Sequence, residues 1–491
     1  MTERNSSSTA NDASSNALLD FSGLPRFADF RIDQIDAALD VLLSTAREAL
    51  LAATDDSTAP KWATVIEPLE SATEQLGRAW GVVGHLSSVD DSPELREAHN
   101  RNLPRVTQIW TELGQSTELF DRYKALRDSD EFAKLSLTRQ RIVDNSIRDF
   151  RLGGADLQSP ARERYAEIQE KSAALGQKFS ENVLDATNAF EWIIVDPDEL
   201  AGLPQDAIDA AAADAKRNDK AGYRFTLQFP SYFPVMQYAE NRDLRQCLYT
   251  AYCTRASENA LAPTDDTQRL ALDNSPVIDQ ILQLRAEESQ LLGYDNFAQV
   301  SLVPKMAETP GEVIKFLRDL AKRARPFAEL DLEQVRAFAK EELGMSTLEA
   351  WDVAFASEKL RQQRYAFSDQ EVKQYFQLPR VLSGLFAQVE KLFSVSIRRD
   401  QASSWHDSVE FYRIERNGTL LGQFYLDLFA RETKRPGAWM NGARSRAKRL
   451  TGTQSPIAYL VCNFQPPVGD QPALLTHNDL TTLFHEFGHG L

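Results

Sequence analysis

Apolar residues recur at spacings of three and four through most of this chain, the signature of helices that each bury one face. In "IDQIDAALDVLLSTAREALLA" the positions Ile35, Leu39, Leu42, Ala46 and Leu50 form such a stripe. A longer helix is predicted after the Ser159-Pro160 breaker, where Tyr165, Ile168, Ser172, Leu175 and Phe179 step 3-4-3-4. That spacing suits a seam against a neighbouring helix. The "DAIDAAAADAKR" stretch after Pro204 has high helix propensity and little to bury. Helices are also predicted through "QILQLRAEESQLLG" and "VIKFLRDLAKRARPFAELDLEQVRAFAKEEL". No internal repeat is visible, which argues against a solenoid.

The period changes to two in "YRFTLQF", where Tyr223, Phe225, Leu227 and Phe229 alternate and Pro230 closes a predicted strand. This is the natural boundary between an N-terminal helical region, 18–222, and a second region, 223–491. Beyond Trp405, "SVEFYRIERNGTLLGQFYLDLF" reads as two strands joined through Asn417-Gly418, residues that tolerate positive φ. The turn-rich "RPGAWMNG" follows, then "PIAYLVCNF", an apolar run of strand length stopped by Pro466-Pro467. A small sheet therefore lies immediately before a terminal helix. Thr476 with Asp479 three residues on forms a capping-box pattern that starts this helix at about His477.

Composition narrows the functions. The 491 residues are 42% hydrophobic and 26% charged, with a net charge of −17. So acidic a surface repels phosphate backbones and anionic lipid, which disfavours nucleic-acid and membrane partners. Residues 1–17 begin with a polar stretch lacking the apolar segment of a secretory signal and read as a disordered tail. No apolar run approaches the roughly 18 residues of a membrane span. Cys247, Cys253 and Cys462 are too few for a disulfide framework and lack zinc-ribbon spacing, so they are expected to be reduced. A soluble cytoplasmic monomer is expected.

The chemistry concentrates in "THNDLTTLFHEFGHGL". His485 and His489 are one helical turn apart and share a face, so two ring nitrogens can reach one zinc at about 2.0–2.1 Å. Glu486 lies on the flank of that face. Its carboxylate is placed to take the proton of a zinc-activated water as the water attacks a carbonyl. With six histidines in the chain, chance would produce this H-E-x-x-H pattern on the order of 0.005 times. The alternative is two solvated histidines on an amphipathic helix. Leu483, Phe484 and Phe487 argue instead for a helix packed into a core. His477, in the first turn, is read as solvent-facing, and His85, His99 and His406, without companions at ligand spacing, as structural. No phosphate-binding glycine loop or G-x-S-x-G elbow is present.

At "FHEFGHGL" the chain resembles the thimet oligopeptidase family of zinc metallopeptidases. "SSVDDSPELREAH", "KFSENVLDATNAF", "FPSYFPVMQYAENRDLRQCLYTAYCTRAS", "GQFYLDLFARETKRPGAWM" and "AYLVCNFQPPV" resemble the family in the same order, from about Leu18 to Leu491. The resemblance implies an endopeptidase for short unstructured peptides. Its fold would be mainly α, a two-lobed helical zincin-type oligopeptidase with a deep channel and a small β-sheet beside the active-site helix. It implies one zinc, held by His485 and His489, with Glu486 as catalytic base. "AYLVCNF" resembles the sheet edge to which an extended peptide adds as a strand; a buried core strand is the alternative. The family's third zinc ligand, a glutamate on a later helix, and its intermediate-stabilising tyrosines and histidine would lie beyond Leu491. The catalytic region, 223–491, is accordingly expected to be incomplete at its C-terminus and inactive alone. The competing reading is a non-catalytic peptide-binding or scaffolding module.

Overall fold

The computed structural model describes residues 16–449, 452–469 and 471–491. The tail expected over 1–17 lies outside the described residues except for its last two. Buried Asn16 accepts a hydrogen bond from the Leu18 amide at 3.0 Å and so caps a short 3-10 turn that buries Ala17. The chain divides into two compact units, one of Met1–Ser180 with Pro276–Asp319, the other of Glu181–Ser275 with Leu320–Leu491. No helix among the described residues is long and apolar enough to cross a membrane.

The first unit is helical. It contains α1 (Ile35–Thr54), α2 (Glu67–Val89), α3 (Pro93–Gln115), α4 (Thr117–Arg127), α5 (Leu137–Leu152) and most of α6 (Ala161–Asn188). The α1 stripe is buried as its spacing predicts, with Ile35, Leu39, Leu42 and Ala46 in the core and Leu50 half-buried. It packs against α2, α3 and α4. The α6 seam is buried only at Tyr165 and Ile168; Ser172 and Leu175 are half-buried and Phe179 is exposed. His99 stacks on Trp80 with ring centroids 4.7 Å apart, and His85 is buried, in keeping with structural roles.

The second unit opens on an antiparallel hairpin of β1 (Glu191–Ile194) and β2 (Tyr223–Thr226), separated by α7 (Gln205–Arg217). The predicted strand is real but shorter than its alternation suggests. Phe229 begins α8 (Phe229–Tyr238), because Pro230 suits the first turn of a helix as well as it ends a strand. Gly222, at φ +84°, precedes β2; a Cβ there would collide with the Ile194 carbonyl oxygen, so only glycine closes this hairpin. α9 (Arg242–Thr254) follows and packs against α8.

Five strands make the larger sheet, β3 (Ser396–Arg399), β4 (Glu410–Arg416), β5 (Thr419–Phe429), β6 (Trp439–Arg444) and β9 (Ile457–Phe464), in the order β3-β4-β5-β9-β6. Short strands β7 (Ala447–Arg449) and β8 (Gly452–Gln454) pair separately. The Asn417-Gly418 turn joins β4 to β5 with φ of 52° and 76°, as predicted. β5 and β9 are parallel, and the other pairings in this sheet are antiparallel. β9 is therefore not an edge. The turn-rich "RPGAWMNG" carries into β6, which covers β9 with Trp439 opposite Val461. The near-continuous apolar run of "IAYLVCNF" is what a central, two-sided strand requires.

A helix, α10 (Leu378–Phe393), and the terminal helix, α11 (His477–Gly490), supply side chains to one core with this sheet. Gly222→Ala is expected to lower stability by about 2 kcal/mol or more through strain at a positive φ. Gly176→Ala in α6, where an added methyl meets open space, should be neutral or stabilising by up to about 1 kcal/mol. Denaturant unfolding of both variants checks this, and equal stabilities would refute the close approach at Gly222.

Candidate active site

The capping box forms as read from the sequence. Thr476 Oγ1 accepts from the Asp479 amide at 3.0 Å, and the Asp479 carboxylate accepts from the Thr476 amide at 2.9 Å. Burial raises the Asp479 carboxyl's pKa, with the Thr476 bonds pulling the other way. From this start α11 runs over β9 and β6.

Its rotation is set by packing. Leu483 and Phe487 are buried at 0% and 3% exposure, and Phe487 meets Phe424 of β5 edge-on at 5.4 Å between centroids. Gly490 shares their face, where a Cβ would lie 3.3 Å from Leu460, so its small size permits close approach to β9. At about 100° per residue, His485 and His489 then fall roughly opposite the buried pair, with Glu486 on the flank. Both histidines are exposed, and Glu486 is buried at 8% exposure. Phe484, expected in the core, is 39% exposed because it lies between the two faces.

The two imidazoles converge. His489 Nε2 lies 3.0 Å from His485 Nε2, with the rings perpendicular and their centroids 4.6 Å apart. At that separation either one ring donates to the other or both lone pairs face one cation. Two nitrogens held about 2.0–2.1 Å from a tetrahedral zinc would be about 3.3 Å apart, so the donor pair fits zinc. Among the described residues no third histidine, cysteine or carboxylate joins them to complete a metal-binding group. His477 is exposed and its ring lies near Phe376. All three cysteines are free; Cys462, on β9 beneath α11, is buried, and burial together with Glu486's charge raises its thiol's pKa.

A buried ionic cluster at the end of β5 went unread in the sequence. Asp427, nearly inaccessible, accepts from both terminal nitrogens of Arg431 at 2.7 and 2.6 Å. It also accepts from Lys434 Nζ at 2.8 Å and from Trp405 Nε1 at 2.9 Å. Lys434 Nζ further donates to the carbonyls of Asp427 and Phe429. Burial alone would raise the Asp427 pKa, but the Arg431 bonds and the Lys434 charge outweigh it and hold the carboxyl below its usual range. Burial brings Lys434 down to about 8, against the pull of Asp427. The signal was available: an aspartate inside "FYLDLF" can be buried only with partners. The cluster fixes the turn from β5 toward β6. Asn463 of β9 reinforces it by donating to the carbonyls of Arg435 and Gly437.

A helical, sheet-containing unit that presents an H-E-x-x-H helix belongs to a known class: the pattern of peptidase family M3 matches residues 235–491. The pattern described as Neurolysin/Thimet oligopeptidase, N-terminal domain, matches residues 39–162. The chain therefore belongs to peptidase family M3. Among its relatives is oligopeptidase A of Haemophilus influenzae, 43% identical over 480 residues, covering 97% of this chain and 70% of that protein. Oligopeptidase A of Escherichia coli is 42% identical over 479 residues, with the same two coverages of 97% and 70%. Dipeptidyl carboxypeptidase of Escherichia coli is more distant, at 29% identity, covering 95% of this chain and 67% of that protein. The solved structure of PZ peptidase A with inhibitor 2 shares the fold at TM-score 0.50 and 16% identity; it covers 94% of this chain, which spans 64% of that one.

Lys434→Met removes the ammonium while leaving Asp427 buried, with two carbonyls losing their donor. A loss of about 3 kcal/mol in unfolding free energy is expected, the scale for breaking one side of a buried ion pair. Urea unfolding measures it, and a loss below about 1 kcal/mol would mean that Arg431 and Trp405 suffice.

Proposed function

We propose that this chain carries two metal ligands and the general base of a zinc-dependent endopeptidase acting on short unstructured peptides. The 3.0 Å convergence of the His485 and His489 Nε2 atoms beside buried Glu486 carries the reading. The oligopeptidase A relatives support peptides as the substrate class. Zinc, when bound, supplies the Lewis acidity that acidifies water and polarises the scissile carbonyl. His485 and His489 would hold it through their Nε2 atoms. Glu486 takes the proton of the attacking water, and its burial limits competition from solvent for that proton. β6 forms the sheet edge on the side of α11, which supports placing an extended peptide alongside it by strand addition. The net charge of −17 supports a protein that binds neither nucleic acid nor anionic membrane.

Catalytic zinc sites use three protein ligands plus water. With two converging donors, residues 1–491 should bind zinc weakly and hydrolyse nothing by themselves. Competition with a chromogenic chelator tests the first point: His485→Ala is expected to abolish the weak binding, and unchanged binding would move the site elsewhere. In a protein extended to the length of the relatives, Glu486→Gln should retain zinc through dialysis. Turnover of a quenched fluorescent peptide should fall at least ~10²-fold. Near-normal turnover in that variant would sink the mechanism.

A further inference from the structure

A cavity of about 450 Å3 opens in the second unit and shares no lining residue with α11. Its walls come from α7, β2, the start of α8, and the segments 430–433 and 465–466 that follow the parallel strands β5 and β9. Ala207, Ala210, Ala211 and Phe225 make one side apolar, and the volume is that of a small-molecule site.

The polar side is rich in unspent donors. Arg224, with a side chain only 9% exposed, donates from Nε to Glu191 at 3.0 Å and from Nη1 to Asp214 and Glu432 at 2.7 and 3.1 Å. Its remaining amino group, Nη2, bonds to no protein group yet is not sealed from solvent, and Arg224 lines this cavity. Arg217, also on the lining, gives Nη2 to Asp214 at 2.7 Å and keeps Nη1 and Nε. Ser231 Oγ accepts from the Thr226 amide at 2.9 Å, and its own proton goes to no protein acceptor. The charged acceptors are largely used, while the amide side chains of Asn218, Gln228 and Gln465 also line the cavity. Both oxygens of Asp214 are taken by the two arginines, and Glu432 retains one oxygen on a half-exposed side chain. Arg224 Nη2, the free N–H groups of Arg217 and the Ser231 hydroxyl proton, none bonded to a protein acceptor, are therefore available to a ligand that supplies acceptors.

We propose that this cavity binds an organic carboxylate, its oxygens taken by Arg224 Nη2 and Arg217 and its body laid on the alanine face. Each guanidinium still offers single N–H donors, and a charge-assisted hydrogen bond from a guanidinium to a carboxylate is stronger than a neutral one. The C-terminus of a peptide and a free organic acid share this chemistry. The site does not depend on the peptidase reading, and its test uses no turnover.

Calorimetric titration of the 491-residue chain with hippurate and hippuramide isolates the carboxylate, since the two differ only there. Hippurate is expected to bind at least ~10-fold more tightly, the scale of a charge-assisted pair. Arg217→Gln should cut that preference to about threefold or less, and Arg224→Gln should remove it. Thermal melts check folding. Should Arg224→Gln unfold, because it holds three carboxylates, Arg217→Gln on its exposed side chain carries the test. Succinate competing as well as hippurate would assign the site to free acids, and weaker competition to peptide-like acids; both support a carboxylate site. Equal binding of hippurate and hippuramide, or a preference untouched by Arg217→Gln, overturns the proposal.

Discussion

Burial of Phe487 and Leu483 against the sheet fixes the azimuth of the terminal helix, and the chemistry of the histidine pair depends on that azimuth. Leu483, Phe487 and Gly490 occupy one face, pressed onto Phe424 of β5 and Leu460 of β9. A helix carries His485 and His489 to the opposite side of such a face. Burying the two large side chains contributes several kcal/mol, about 1.5–3 for each. A rotation that withdrew the histidines from solvent would forfeit most of that. The two imidazoles are thus oriented by the core, as a pre-organised site requires.

That core exists because β9 is central. Parallel pairing with β5 and antiparallel pairing with β6 remove both of its edges, leaving two apolar faces to be covered. A parallel neighbour also brings the C-terminal ends of β5 and β9 together, so the segments after them, 430–433 and 465–466, become adjacent walls. The Asp427 cluster sits at this end and holds the chain as it turns toward β6. A buried carboxylate with three cationic or N–H partners adds little net stability compared with an apolar packing of equal volume. Its value lies in direction: Lys434 also donates to the carbonyls of Asp427 and Phe429, which ties the turn to the end of β5.

The helices, and the placing of His485 and His489 on one face of the last of them, were legible because they rest on local rules. The stripe of α1, the Asn417-Gly418 turn and the Thr476–Asp479 box depend on residues within a few positions of one another, and each appears where the sequence puts it. The H-E-x-x-H spacing likewise fixes a shared helical face. What escaped was decided at long range. Nothing in "RPGAWMNG" says that it pairs with a strand some twenty residues later, so the sequence leaves β9 open between a sheet edge and a buried core strand, and the pairing with β6 makes it the latter. The strand read from Tyr223 to Phe229 stops at Thr226 because Pro230 serves helix initiation as readily as strand termination. The Arg224 network joins residues from Asp214 to Glu432, a separation that no local pattern encodes.

The histidine pair and the arginine-lined cavity use opposite electrostatic logic on one scaffold. The first exposes two converging imidazole nitrogens beside a carboxylate, an arrangement that attracts a cation. The second spends most of its carboxylates on guanidinium groups and leaves N–H donors over, an arrangement that attracts an anion. Both lie on a chain of net charge −17, so the cation site is favoured by the long-range field and the anion site works against it. An anion site in an acidic protein has to be local and enclosed to succeed, because screening over roughly 8–10 Å in physiological salt confines each charge to its near neighbours. Arg224 comes near that condition: it is nearly buried, it is braced by three carboxylates, and it lines the cavity together with the alanines of α7.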